Sequence, residues 1–171
     1  MAPRFRGSIG ALPGDRGAAL MRVYLVVIDE SGEARVALRY AARRASRTGG
    51  TVEILAAIPP AEFVEWGGVQ AAMEEEAKLR AEAMVLQAAG AIVEEAGIQP
   101  RIVVREGEAA SAVADLLKER DDIAALILGA APEGPPGPLV SHFSGSVAGT
   151  LPCPVVIVPG ALSDEALDRL A

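Results

Sequence analysis

The 171-residue chain has one cysteine, one histidine and no asparagine. Cys153 alone excludes an intramolecular disulfide, and with His142 as the sole histidine no Cys/His cluster can close a zinc site. A single thiol points to a reducing compartment, so the sequence predicts a cytoplasmic protein. Cations are scarce as well: 16 Lys and Arg stand against 23 Asp and Glu, for a net charge of -7 and a pI near 4.8. That balance argues against a nucleic-acid or anionic-membrane partner, both of which reward basic faces, and leaves small molecules or proteins. No apolar run approaches the roughly 18 to 20 residues that span a bilayer. The missing asparagine suits a heat-adapted source and equally suits GC-rich coding. Neither G-x-G-x-x-G nor G-x-x-x-x-G-K-S/T occurs, so the dinucleotide and Walker phosphate loops are missing too.

What is present suffices for one globular unit, since 51% of the residues are hydrophobic. The first 20 residues, "MAPRFRGSIGALPGDRGAAL", stand apart, with four glycines, two prolines and no periodicity. They lack the continuous apolar centre of a secretory signal, and their glycine and proline disfavour the amphipathic helix of a transit peptide. The expectation is a disordered extension over 1–20, with Met21 opening the folded part.

From Met21 buried-strand runs alternate with helix-period segments. "VYLVVI" (23–28) is continuous and β-branched, the signature of a parallel strand covered on both faces. Ser31 can cap a helix carrying Ala34, Ala37, Leu38, Ala41 and Ala45 inward, which Gly49-Gly50 stops. "TVEILAAI" (51–58) is a second strand running into Pro59-Pro60. "AEFVEWGGVQ" is ambiguous. Residues 71–96 predict a helix with a stripe of Met73, Ala77, Ala81, Met84, Ala88 and Ile92, and with Glu74 and Lys78 at i,i+4. Glu74 to Glu76 read as its solvated, dipole-favoured start. A third strand (101–107), a helix over 109–120, a fourth strand "IAALILGA" (123–130), a brief helix over about 144–151 and a fifth strand "PVVIVP" follow, and Ser163 can cap a short helix in the 161–171 tail. The order βαβαβαβαβ implies right-handed crossovers and a doubly wound, five-stranded parallel sheet in an α/β fold.

Four stretches carry a likeness: "YLVVIDESGEARVALRYA", "ILAAIPP", "VREGEAASAVADLL" and, most specific, "ALILGA" with "SGSVAGTLPCPVVIVP". Over these the chain resembles the universal stress protein family, with one domain at 21–160. The resemblance implies an adenine nucleotide alpha hydrolase-like, Rossmann-like three-layer sandwich. It also implies a cytoplasmic, non-catalytic stress-response module that holds ATP or another adenine nucleotide, or a protein-interaction module of the same fold that has lost it. In nucleotide-binding members the loop after the fourth strand reads Gly-x2-Gly-x9-Gly-Ser/Thr. Here Gly129 supplies the first glycine and Gly145-Ser146-Val147 the end, but fifteen residues separate the outer glycines where the pattern has twelve, and Pro132 takes the middle glycine's place.

By that likeness Asp29 accepts hydrogen bonds from the nucleoside, Ile58 lines the adenine, Leu128 and Gly129 lie beside the nucleoside, and Gly145, Ser146 and Val147 face phosphate. A helix start at Gly145-Ser146 would add unpaired donors and a positive dipole end. Pro132, Pro135, Pro136 and Pro138 lack an N–H, so the cradle is expected to be degenerate. His142 reads as an exposed loop residue, because no G-x-S-x-G elbow orients a nucleophile beside it. Cys153, in "PCPV", reads as a small residue entering a strand. "PVVIVP" at a sheet edge would leave apolar backbone unpaired, and family members commonly dimerise through that strand, so a homodimer through Val155 to Val158 is expected.

Overall fold

The computed structural model describes residues 21–60 and 67–171; the expectations for 1–20 and for the first half of "AEFVEWGGVQ" lie outside them. Five strands, β1 (Val23–Val27), β2 (Thr51–Ile58), β3 (Arg101–Glu106), β4 (Ile123–Ala130) and β5 (Val155–Pro159), form one parallel sheet in the order β3-β2-β1-β4-β5. Helices α1 (Gly32–Thr48), α2 (Gly67–Ala96) and α5 (Asp164–Leu170) cover one face, and α3 (Ala109–Glu119) and α4 (Pro138–Phe143) the other. β1 shows why its run is unbroken: Tyr24 and Val26 enter the α1 and α2 layer while Val23, Leu25 and Val27 enter the α3 layer. Burying both faces of a strand removes the period-2 alternation.

The caps behave as the side chains dictate. Ser31 Oγ accepts from the Ala34 N–H, and Gly49, at φ 66°, closes α1 with its N–H on Ala45. Ser163 caps α5 in the same way. Leu167 is fully buried under α5, and Arg39 and Arg43 of α1 pair with Asp164 and Asp168.

Three expectations are corrected. α2 begins at Gly67, so Glu74 to Glu76 lie two turns inside it, and Met73 is exposed. The rest of the expected stripe holds, with Ala81 and Ile92 buried and Ala77, Met84 and Ala88 packed against the same core, which Val85 and Ala89 widen. Glu74 accepts from Gln70 and Glu76 pairs with Arg80, in place of a Glu74–Lys78 pair. The helix expected over 144–151 is absent: α4 occupies 138–143, and only a 3-10 turn at Ala148–Thr150 follows. Gly137, at φ 106°, turns the chain and Pro138 takes the first helical position, where its missing N–H costs nothing.

Candidate functional site

The winding reverses at β1, because β2 and β3 lie on one side of it and β4 and β5 on the other. In open parallel sheets the crevice for a ligand lies at the carboxyl ends of the strands at such a point. Here that crevice holds Asp29 from β1, Leu128 and Gly129 from β4, Ser31 and Glu33 from the start of α1, and Gly137 and Pro138 from the loop. The Asp29 Oδ1 accepts from the Ser31 N–H at 2.8 Å, an Asx turn that leads the chain into α1 and leaves the other carboxylate oxygen without a partner among the described residues.

Three of the seven residues singled out from the sequence therefore converge: Asp29, Leu128 and Gly129. Ile58 is buried in the α1 and α2 layer and outside the crevice lining, with its carbonyl accepting from the Gly107 N–H at 2.8 Å. Gly145, Ser146 and Val147 also lie outside that lining. They follow the carboxyl end of α4, where the helix dipole is negative, so the expected positive helix start is not under them. The turn is tightly wound. Gly145 N–H reaches the His142 carbonyl, a Cβ on Gly145 would come 2.9 Å from the Ser141 carbonyl oxygen, and the Gly145 and Val147 carbonyls accept from Ala148 and Thr150.

The crevice is small, about 60 Å3, against the several hundred that enclose a nucleotide-sized ligand. The inserted prolines account for this. Ala131 donates to the Pro136 carbonyl, Gly134 adopts φ 73°, and the loop folds on itself so that Pro136, Gly137 and Pro138 wall the opening. Its charged residues are the carboxylates Asp29 and Glu33; no cation is among its described lining residues. Such a site accepts hydrogen bonds from hydroxyls better than it holds phosphate.

A larger cavity, about 630 Å3, lies between α1 and α2 on the other side of Asp29. Its floor is apolar, with Ile28, Leu38, Met84 and Ile92, and its rim carries Arg35, Arg39 and Arg80. Arg39 pairs with Glu95, which above all holds its guanidinium protonated, and with Asp164. The two rim arginines on α1, Arg35 and Arg39, stand four residues apart, the helical spacing that puts both on one face, and this is the trace of the groove in the sequence.

Two residues that invited chemistry are placed away from it. His142 is exposed, on α4 rather than in a loop, with its ring edge-on to Phe143. Cys153 is half-buried, and burial pushes its thiol above the ordinary value, against the reactive thiolate. Among the described residues no group of three or more His, Cys, Asp or Glu could hold a metal, and no helix is long and apolar enough to cross a membrane.

The comparisons agree with this architecture. Residues 21–159 match the sequence model of the Universal stress protein family. Universal stress protein UspA from Lactobacillus plantarum shares the fold with a TM-score of 0.67 at 17% identity, over 80% of this chain and 97% of that one. A protein of the same family from Burkholderia pseudomallei gives 0.63 at 14% identity, over 82% and 98%. The universal stress protein from Archaeoglobus fulgidus in complex with dAMP gives 0.56 at 18% identity, over 80% and 96%. No curated protein matches the chain by sequence.

Proposed function

As the chain belongs to the universal stress protein family, we propose that it is a non-catalytic, cytoplasmic stress-response module that binds an adenine nucleotide weakly through a degenerate glycine-rich loop. The observation that carries this reading is the meeting of Asp29 with Leu128 and Gly129 in one crevice where the winding reverses. The second Asp29 oxygen accepts from a ribose hydroxyl, Leu128 and Gly129 flank the nucleoside, and Ile58 supports the base from the core. Gly145, Ser146 and Val147 offer phosphate only backbone N–H groups and a hydroxyl. The dAMP complex of the Archaeoglobus fulgidus relative supports an adenine ligand, while the carboxylate-lined, 60 Å3 crevice supports weak binding of the phosphates. The same small volume favours a second reading, an interaction module that has lost the nucleotide.

Thermal unfolding with ATP and Mg2+, AMP or adenosine separates the two. A ligand bound only to the native state stabilises by RT ln(1 + [L]/Kd), about 2.7 kcal/mol at a hundredfold excess over Kd. A melting shift appearing only in the millimolar range, similar for adenosine and ATP and lost in Asp29→Ala, is the expected result. No shift at any attainable concentration selects the second reading, and stoichiometric release of phosphate would make the protein an enzyme.

The partner in this proposal is a second copy, paired through Val155 to Val158. The two edges of the sheet differ. β3 carries Arg101 and Arg105, ion-paired to Asp122 and Glu119, whereas β5 is uncharged and leaves Ile157 42% exposed. Charge blunts an edge against pairing, and an apolar edge invites it. Light scattering should give a multimeric mass that Ile157→Arg lowers; a monomer at tens of micromolar sinks the edge pairing.

A further inference from the structure

α2 is apolar on two faces. One, with Ala81, Val85 and Ile92, meets the sheet. The opposite face is uncovered by the described residues: Ala72, Leu79, Leu86 and Val93 recur every seven residues, with Leu79 and Leu86 57% and 64% exposed and Val93 half-buried. Val69, Glu76, Ala83 and Gly90 recur every seven residues between them, all exposed. This alternation of three and four is the a and d pattern of a helix–helix seam. It stands about 200° round the helix from the buried stripe, since Ala81 and Ala88 each follow a seam leucine by two residues.

Gly90 is the second observation. It sits within α2, and a Cβ there would meet nothing within 4 Å among the described residues. A glycine inside a helix costs about 1 kcal/mol relative to alanine, and no contact among the described residues requires it. A second helix laid closely over the seam does.

We propose that the outer face of α2 is a self-association surface on which α2 of a second copy packs antiparallel. The sequence is self-complementary in that orientation. Aligning the helices about a two-fold axis at Ala81, near the middle of Gly67–Ala96, overlaps almost their whole length, about 45 Å. Leu79 then covers the partner's Ala83, Ala72 the partner's Gly90, and Val69 meets the partner's Val93. Large residues thus fall on small ones. Glu76 sets its aliphatic stem against the partner's Leu86 while its carboxylate stays on Arg80, at 2.9 Å; one polar seam position of this kind fixes register. The charges fit too, because Glu94 arrives at the amino end of the partner's α2, the positive end of its dipole. α2 packs on β2 and β3, on the half of the sheet away from β5, so this surface is independent of the β5 edge.

The test is the mass of the full chain by sedimentation equilibrium or light scattering at tens of micromolar. Leu79→Glu with Leu86→Glu should halve the mass of the native protein while leaving its circular dichroism unchanged, since both side chains are exposed. Gly90→Leu should weaken association by at least tenfold without lowering the melting temperature of the dissociated protein. A monomeric native protein, or a mass untouched by the paired leucine substitution, overturns the proposal; a seam reserved for another protein or a lipid surface would give one of those two results.

Discussion

Glu53→Ala is expected to be among the most damaging single substitutions in the chain. Glu53 is 0% exposed in the middle of the sheet, and both of its carboxylate oxygens accept from Arg120, at 2.9 and 3.2 Å. Arg101 stands 3.9 Å away, and Arg120 turns its remaining N–H groups to Asp122 at 2.6 and 2.7 Å. Removing one partner of a buried pair strands the other, at about 3–5 kcal/mol; because Arg120 keeps some solvent and Asp122, the lower end, about 3 kcal/mol, is expected. For a domain of this size that is roughly 6–12 °C in melting temperature. Replacing Glu53 and Arg120 together with methionine should recover most of the loss, because the cost lies in the orphaned charge. A Glu53→Ala loss below about 1 kcal/mol would mean that water screens the pair.

Acid should weaken the same network by titration. The Arg120 hydrogen bonds hold the Asp122 carboxyl below its ordinary range, against the opposing effect of desolvation and with help from Arg101. A folded pKa lower than the unfolded one gives stability that is complete above the unfolded value, near 4, and is lost as pH falls through the folded value. Melting temperature should therefore be flat near neutrality and fall below about pH 4, less steeply in Asp122→Asn. An equal slope in that variant would assign the acid lability to other carboxylates.

Glu53 also shows where reading the sequence runs out. Strands and most helices were legible because burial writes its own period: β1 and β4 are unbroken apolar runs, and α1 and α3 place their buried residues at three and four. One charge inside "TVEILAAI" reads as tolerated noise, because its partners are distant in sequence: Arg101 comes from β3 and Arg120 from the connection between α3 and β4, where Asp122 holds it. The loop after β4 was misread for a local reason. Gly145-Ser146 resembles a helix start in a phosphate cradle, but the stronger start signal is Gly137-Pro138, hidden within the proline-rich stretch. At the candidate site, Asp29 with Leu128 and Gly129 were implied by the likeness to the universal stress protein family, and the reversal of winding is what brings them together. The width of the crevice did not, because it depends on how the insert folds back through Ala131 and Pro136.

Gly129 is where packing and binding can be told apart. A glycine at the end of a strand carries an entropic cost that a close backbone approach justifies. At Gly129 that approach is internal. A Cβ would fall on the Glu33 carbonyl group and 3.0 Å from the Ala34 nitrogen, in the first turn of α1. Backbone cannot swing aside as a side-chain tip can, so Gly129→Ala must push α1 off the end of β4. The same helix turn lies close to Gly160, where a Cβ would lie 2.8 Å from both the Ala130 carbonyl oxygen and the Glu33 Cβ, so α1 is closely seated on the backbone at both positions. Overpacking of this kind costs about 1–3 kcal/mol, and the loss should appear in urea unfolding with no nucleotide present. Asp29→Ala, whose side chain is exposed and whose lost contact is one turn hydrogen bond, should cost far less stability while removing the ligand-induced melting shift. If Gly129→Ala unfolds at the native urea midpoint and loses only the response to nucleotide, the glycine serves the ligand, and the tight seat of α1 on β4 is not what selects it.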